Sequence, residues 1–282
     1  MSIQILDGAW GTQLQQRGLE TGAHPDLWNL SRPDKVREVA ESYVNAGSNI
    51  ILTNTFGATR FTLGRHGYED KVADINRAGV RISREAAKGK AKVFASVGPT
   101  GVMLLTGTAT PDDLYSAFLE QVQAIALEEP DGIVIETMSD PAEAVLAVKA
   151  AKTTGLTVAA CMVFDSGKNK DRTMMGTTPE QAAEQLSAAG ADIIGSNCGQ
   201  GIDGFIPVCK RMRAATDKPL WMKANAGLPE IVDGKAVYVQ TPEKFAEKAL
   251  ELIAAGADYI GGCCGTSPEF IKCLALSACG KA

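Results

Sequence analysis

The chain has 282 residues, 45% of them hydrophobic and 22% charged, which is enough apolar material for a sizeable core and excludes a low-complexity or fibrous polymer. Lys and Arg total 28 against 33 Asp and Glu, a net charge of −5, so no basic excess is available to neutralise the phosphates of a nucleic acid. No run approaches the roughly 18 apolar residues of a membrane span, and the first residues have neither the basic start nor the apolar stretch of an export signal, so the expected location is cytoplasmic.

Short β-prone runs alternate with longer amphipathic stretches along the whole chain. Strands are expected at 3–9, 49–56, 92–98, 132–138, 156–164, 192–198, 220–226 and 259–264, and helices at 33–46, 71–88, 111–128, 141–153, 179–189, 242–255 and 268–278. Many of the strands are rich in Ile and Val on both faces, as strands covered on both sides require. Thr110-Pro111, Asp140-Pro141, Thr178-Pro179, Thr241-Pro242 and Ser267-Pro268 each place a good N-cap before a good first-turn residue. A phrase that ends a helix and begins a strand recurs as Asn45-Ala46-Gly47-Ser48-Asn49-Ile50, Ala188-Ala189-Gly190-Ala191-Asp192-Ile193 and Ala254-Ala255-Gly256-Ala257-Asp258-Tyr259, with glycine as the C-cap. No linker or charge block divides the chain, so residues 1–282 are expected to form one domain. The succession predicts an α/β protein, a single (β/α)8 TIM barrel. A doubly wound open sheet gives a similar pattern, but GxGxxG after the first strand and a Walker A sequence are both absent.

The C-terminal ends of these strands carry a dense set of polar and reactive groups: Asp7, Thr53-Asn54-Thr55, Glu136-Thr137, Asn197-Cys198, Asn225 and Cys263-Cys264. In a barrel they would meet on one rim, where active sites form. Any one of them, taken singly, is equally well read as a helix cap or a turn residue. The seven cysteines, an odd number without an export signal, argue against a disulfide framework. Cys161, Cys209, Cys273 and Cys279 read as small buried hydrophobes. The adjacent pair in Gly261-Gly262-Cys263-Cys264-Gly265 differs, because its glycines waste strand and helix propensity unless the backbone turns tightly around something. A barrel can bring Cys198, after the sixth strand, to this pair after the eighth. Three thiolates suit zinc, and with no CxxC spacing the fourth metal position is left open. A redox pair is the weaker alternative, since adjacent cysteines strain to bridge. His24 and His66 sit in loops and read as surface residues, which disfavours Ser-His or Cys-His hydrolase chemistry.

The motifs Asp7-Gly8-Ala9-Trp10-Gly11-Thr12, Thr53-Asn54-Thr55-Phe56, Ser96-Val97-Gly98-Pro99-Thr100, Ile135-Glu136-Thr137, Gly195-Ser196-Asn197-Cys198, Asn225-Ala226-Gly227-Leu228-Pro229 and Gly261-Gly262-Cys263-Cys264-Gly265-Thr266 resemble those of the homocysteine S-methyltransferases. That family includes the homocysteine-binding domain of cobalamin-dependent methionine synthase and the betaine-homocysteine methyltransferases. The resemblance covers nearly the whole chain, and its most specific part is the Cys-Cys turn joined with the distant Asn-Cys. It implies a TIM barrel whose Zn2+ is held by Cys198, Cys263 and Cys264. It also implies that the turn of Asp7, Gly8, Ala9 and Trp10, together with Glu136, holds the amino-acid end of homocysteine, with Asn54 among the substrate-binding positions and Asn225 near the open metal position. Trp10 brings a larger side chain into the first motif than many members have. The implied reaction is methyl transfer to the zinc-bound thiolate of homocysteine or a related thiol, the donor being S-methylmethionine, another small molecule or a corrinoid protein. The alternatives are an enzyme that exchanges methyl groups between a small molecule and a separate corrinoid protein, or a non-catalytic thiol- and zinc-binding module.

Overall fold

The computed structural model describes residues 3–232 and 235–279, with the backbone alone for 230–232, 235, 236 and 279. The strands are β1 (Gln4–Ile5), β2 (Ile50–Leu52), β3 (Lys92–Val97), β4 (Gly132–Met138), β5 (Thr157–Met162), β6 (Ile193–Gly201), β7 (Leu220–Asn225), β8 (Glu230–Val232), β9 (Lys235–Val237) and β10 (Tyr259–Gly262). The helices are α1 (Trp10–Gln16), α2 (Trp28–Ser31), α3 (Pro33–Ala46), α4 (Arg60–Gly64), α5 (Val72–Ala87), α6 (Pro111–Ala126), α7 (Pro141–Lys152), α8 (Pro179–Ala189), α9 (Ile202–Ala215), α10 (Pro242–Ala254) and α11 (Pro268–Cys279).

Eight of the strands pair in parallel in the order β1-β10-β7-β6-β5-β4-β3-β2, while β8 and β9 form a separate antiparallel hairpin. The two ends of the sheet meet. Leu6 bridges Ile50, the Asn49 N–H donates to the Ile5 carbonyl at 2.7 Å, and the Leu52 N–H donates to the Asp7 carboxylate at 2.7 Å. The expected (β/α)8 barrel is therefore present, its last seam closed partly by a side chain.

Strand periodicity sorts side chains into two cores. Leu6, Ile50, Leu52, Phe94, Val134, Ala159, Cys161, Ile193 and Trp221 fill the barrel interior, and Trp221 stacks on Tyr259 with ring centroids 5.4 Å apart. Alternate residues such as Val93, Ile133, Ile135, Met222 and Ala224 pack outward under the helices. Burial pushes the thiol of Cys161 well up and that of Cys209 up to about 12, as inert packing cysteines require. The side chain of Cys279 lies outside the described residues.

Four of the five expected caps form. Thr110 and Thr178 close capping boxes with Asp113 and Gln181, the Asp140 side chain accepts from the Ala142 N–H, and the Thr241 hydroxyl accepts from the Lys244 N–H. Gly47, Gly190 and Gly256 end their helices at φ of 99°, 102° and 105°. Four helices lie outside the expected ranges, the short α1, α2 and α4 and the longer α9, which starts on Gly201 with no side-chain cap and has Pro207 inside it. No helix among the described residues is long and apolar enough to cross a membrane.

Candidate active site

Two irregularities of the sheet build the sulfur cluster. The pairing of β6 with β7 jumps from Asn197↔Lys223 to Gly201↔Asn225, and inside that bulge Cys198 takes a left-handed backbone at φ 65°. After β10 the chain turns back over β7. The Cys263 N–H donates to the Ala224 carbonyl at 2.7 Å, and the Ala226 N–H donates to the Cys264 carbonyl at 2.9 Å. Gly265, at φ 80°, completes this turn beneath the ring of Tyr238, where a Cβ would stand 2.1 Å from the Tyr238 Cγ.

The Sγ atoms of Cys198, Cys263 and Cys264 consequently lie within 4.8 Å of one another, those of Cys198 and Cys264 at 3.8 Å. Ligands about 2.3 Å from a tetrahedral zinc stand about 3.8 Å apart, so the trio fits such an ion. The S–H groups of Cys263 and then Cys264 donate towards Cys198 and hold its thiol far below the ordinary value, assisted by the Gly199 N–H and the Asn225 amide. The same contacts, with burial, raise Cys263 and Cys264. Asn225 is buried, and its Oδ1 has no hydrogen-bond partner among the described residues.

Beside the sulfurs lies a cavity of about 350 Å³. Its walls include Gly8, Ala9, Trp10, Asn54, Glu136, Cys198, Cys263 and Cys264, so eight of the ten positions singled out in the sequence line it, Asp7 and Asn225 being the two that do not. Asp7 lies just behind this wall, fully buried, with Oδ2 accepting from the Trp10 indole and the Leu52 N–H, both at 2.7 Å. Its Oδ1 accepts from Lys223 Nζ at 2.5 Å. Burial opposes the charge on Lys223, but the carboxylates of Asp7 and Glu136 outweigh it and raise its pKa.

Glu136 Oε1 accepts from the Ser96 hydroxyl at 2.5 Å and Oε2 from the Asn197 amide at 3.3 Å, while burial raises the carboxyl against the pull of Lys223. The first turn is held from both sides: the Tyr43 hydroxyl donates to the Ala9 carbonyl at 2.7 Å and the Ala9 N–H donates to the Thr266 hydroxyl at 3.1 Å. The Asn54 amide donates to the Pro25 carbonyl and to Asn29 Oδ1, both at 2.9 Å, and so fastens the segment before α2 to the barrel rim.

That segment corrects one expectation. His66 is exposed as expected, but His24 is not a surface residue: its side chain is 8% exposed, lines the cavity, and places Nδ1 3.1 Å from the Asp26 carboxylate. Asp26 in turn accepts from the Gly57 N–H at 3.1 Å, so the loop folds inward over the mouth instead of into solvent. Sequence reading also passed over Lys223. The signal was available, since a lysine two residues after Trp221 and two before Asn225 shares their inward face of β7.

With this geometry in view, the sequence profile described as "Homocysteine S-methyltransferase" matches residues 4–277. The chain belongs to the homocysteine S-methyltransferase family. It is 29% identical over 293 residues to a methionine synthase of Mycobacterium leprae (strain TN) and 28% identical to one of Mycobacterium tuberculosis (strain ATCC 25618 / H37Rv); each match covers 98% of this chain and 24% of the relative. The chain therefore spans about a quarter of the length of these curated relatives. Among solved structures, the metallated form of the homocysteine methyltransferase MmuM from Escherichia coli superposes with a TM-score of 0.81 at 22% identity, covering 98% of this chain and 96% of that one. The carboxyl transferase domain of Rhizobium etli pyruvate carboxylase reaches 0.56 at 15% identity over 98% of this chain and 47% of its own. At these identities both likenesses speak for the barrel alone.

Proposed function

We propose that this domain is a zinc-dependent S-methyltransferase that transfers a methyl group to the thiol of homocysteine or a related thiol, forming methionine from homocysteine. The observation that carries the reading is the trio of Sγ atoms within 4.8 Å of one another at the edge of a cavity that also contains Glu136. Cys198, Cys263 and Cys264 would hold the ion. Bound there, zinc would take the acceptor sulfur at its open position and keep it deprotonated, where a free thiol of pKa about 8.5 is only a few per cent thiolate at neutral pH.

The protein's own groups do the rest. Three cysteine sulfurs, unlike histidine or water ligands, leave the acceptor sulfur electron-rich, which favours attack on an alkyl carbon over polarisation of a carbonyl. The bond from sulfur to the methyl carbon forms as the bond to the donor breaks, and the electron pair of that bond leaves with the donor. Glu136, the Asp7–Lys223 pair and the Gly8–Trp10 turn orient the polar end of the acceptor, and alignment of this kind is worth several kcal/mol of barrier. The donor would be a small methylated molecule such as S-methylmethionine or a separate corrinoid protein. The second source gains support from the relatives, methionine synthases of which this chain spans only 24%.

Metal analysis of the purified protein, with a methylation assay using homocysteine against S-methylmethionine, S-adenosylmethionine, betaine and methylcobalamin, tests this. One zinc per chain and turnover are expected, both lost in Cys263→Ala. Full activity without zinc refutes the proposal, and zinc with tight homocysteine binding but no turnover on any donor supports the binding-module alternative instead.

A further inference from the structure

Lys223 is the buried cation of the cavity wall, 2% exposed, and no part of the sulfur chemistry calls for it. An ammonium carries three N–H donors. Among the described residues the only hydrogen-bond acceptor given to Lys223 Nζ is Asp7 Oδ1, at 2.5 Å. That leaves two donors without a protein acceptor among the described residues on a cation that lines the cavity, and a buried charge with unused donors is costly unless a ligand completes it.

Asp7 is in the opposite condition. Lys223, the Trp10 indole and the Leu52 N–H occupy its two oxygens, so it has little capacity left for a ligand cation. Glu136 keeps more: its oxygens meet one hydroxyl at 2.5 Å and one amide at a long 3.3 Å, which leaves room for a charged donor. The cavity thus offers a cation with free donors and a carboxylate with free acceptor sites, a pattern complementary to a zwitterion.

We propose that Lys223 is a specificity-determining residue that binds the α-carboxylate of the acceptor thiol, across the cavity from the Glu136 carboxylate that the family resemblance already assigns to its amino-acid end. Asp7 is then a positioning residue that acts through Lys223 and does not itself touch the substrate. This division of labour rests on the thiol-acceptor reading above and adds to it which end of the acceptor each charge reads.

The test is binding to the zinc-loaded protein by titration calorimetry without a methyl donor, using homocysteine, its decarboxylated analogue 3-mercaptopropan-1-amine and its deaminated analogue 4-mercaptobutanoate. In the wild-type protein each analogue should bind at least tenfold more weakly than homocysteine. In Lys223→Met the ratio between homocysteine and the decarboxylated thiol should fall to near one, while the ratio for the deaminated thiol persists. A change in one ratio alone is not something a merely structural role produces. If Lys223→Met does not fold, Asp7→Asn/Lys223→Met removes both charges and should show the same collapse. Equal affinity for homocysteine and 3-mercaptopropan-1-amine in the wild type, or an unchanged ratio in the variants, overturns the assignment and leaves the methyltransferase reading intact. Failure of all three thiols to bind overturns both.

Discussion

Replacing Asp7 by Asn breaks the most deeply buried ion pair among the described residues, Asp7 being 0% and Lys223 2% exposed. Removing one partner of such a pair strands the other charge at a cost of about 3–5 kcal/mol. The asparagine adds a second penalty. Its single carbonyl oxygen can serve either Lys223 or the Trp10 and Leu52 donors, and its NH2 must then face donors on the remaining side, about 1–3 kcal/mol for the groups left unpaired. Domains are typically stable by about 5–15 kcal/mol, so the single variant should lose a large part of the total. Lys223→Met should lie nearer 3 kcal/mol, because the Trp10 and Leu52 donors still solvate the Asp7 carboxylate. The double variant, with no stranded charge, should be more stable than Asp7→Asn alone, giving a coupling of at least about 2 kcal/mol. Urea unfolding of the metal-free proteins at pH 7, followed by far-UV circular dichroism, measures this without metal linkage. Additive losses, or an Asp7→Asn cost below about 1 kcal/mol, would show that water and not Lys223 balances Asp7.

Gly265→Ala should damage both the fold and the sulfur cluster. Its Cβ would collide with the Tyr238 ring at 2.1 Å in a backbone of φ 80°, so a loss of about 1–3 kcal/mol and weaker zinc retention in competition with a chromophoric chelator are expected. Unchanged zinc affinity would show that the turn tolerates displacement of Tyr238. Glu143 supplies a pH signature: burial raises its carboxyl, although the Thr100 N–H and hydroxyl donate to it at 2.7 and 2.6 Å. A raised folded-state pKa means that the folded form binds more protons, so the penalty is absent below the ordinary carboxylate value and complete above the folded one. Glu143→Gln keeps an acceptor for Thr100 and should therefore gain stability over the wild type at pH 7, with the gain disappearing as the pH falls towards about 4.5. A difference that does not change with pH would contradict the burial argument.

The fold was legible because its signals are local and repeated. Pro141, Pro179 and Pro242 begin their helices, each behind a cap residue, and Gly132 and Met138 bound β4 where the apolar run places them. α9 was missed because Gly201 offers no side-chain cap and Pro207 breaks the expected pattern. The trio of cysteines was legible from strand order, since barrel topology puts the ends of β6 and β10 on one rim with only β7 between them. What could not be read were matters of direction. His24 faces inward because Asn54 and the Gly57 N–H anchor its loop, contacts between residues about 30 apart. Lys223 was hidden inside an apolar strand whose hydrophobic neighbours dominate any averaged pattern.

Direction also decides how the sulfurs meet. On β6, Ile193 faces the barrel interior and Ile194 the helices, so strict alternation turns Asn197 inward and Cys198 outward. The bulge after Asn197 and the left-handed backbone of Cys198 reverse that direction and deliver Sγ to within 3.8 Å of Cys264. A non-glycine residue in this region stores about 1–3 kcal/mol of strain, and Thr137, a β-branched residue at φ 62°, holds a second such outlier on β4. The two are tied together. The Thr137 N–H donates to Asn197 Oδ1 at 2.6 Å, and the Asn197 amide donates to the Thr137 hydroxyl at 2.7 Å. Glycine would relax the backbone at position 198 but has no sulfur to offer, so a barrel that gathers three thiols from β6 and β10 must carry the strain there and use neighbouring side chains such as Asn197 to hold it.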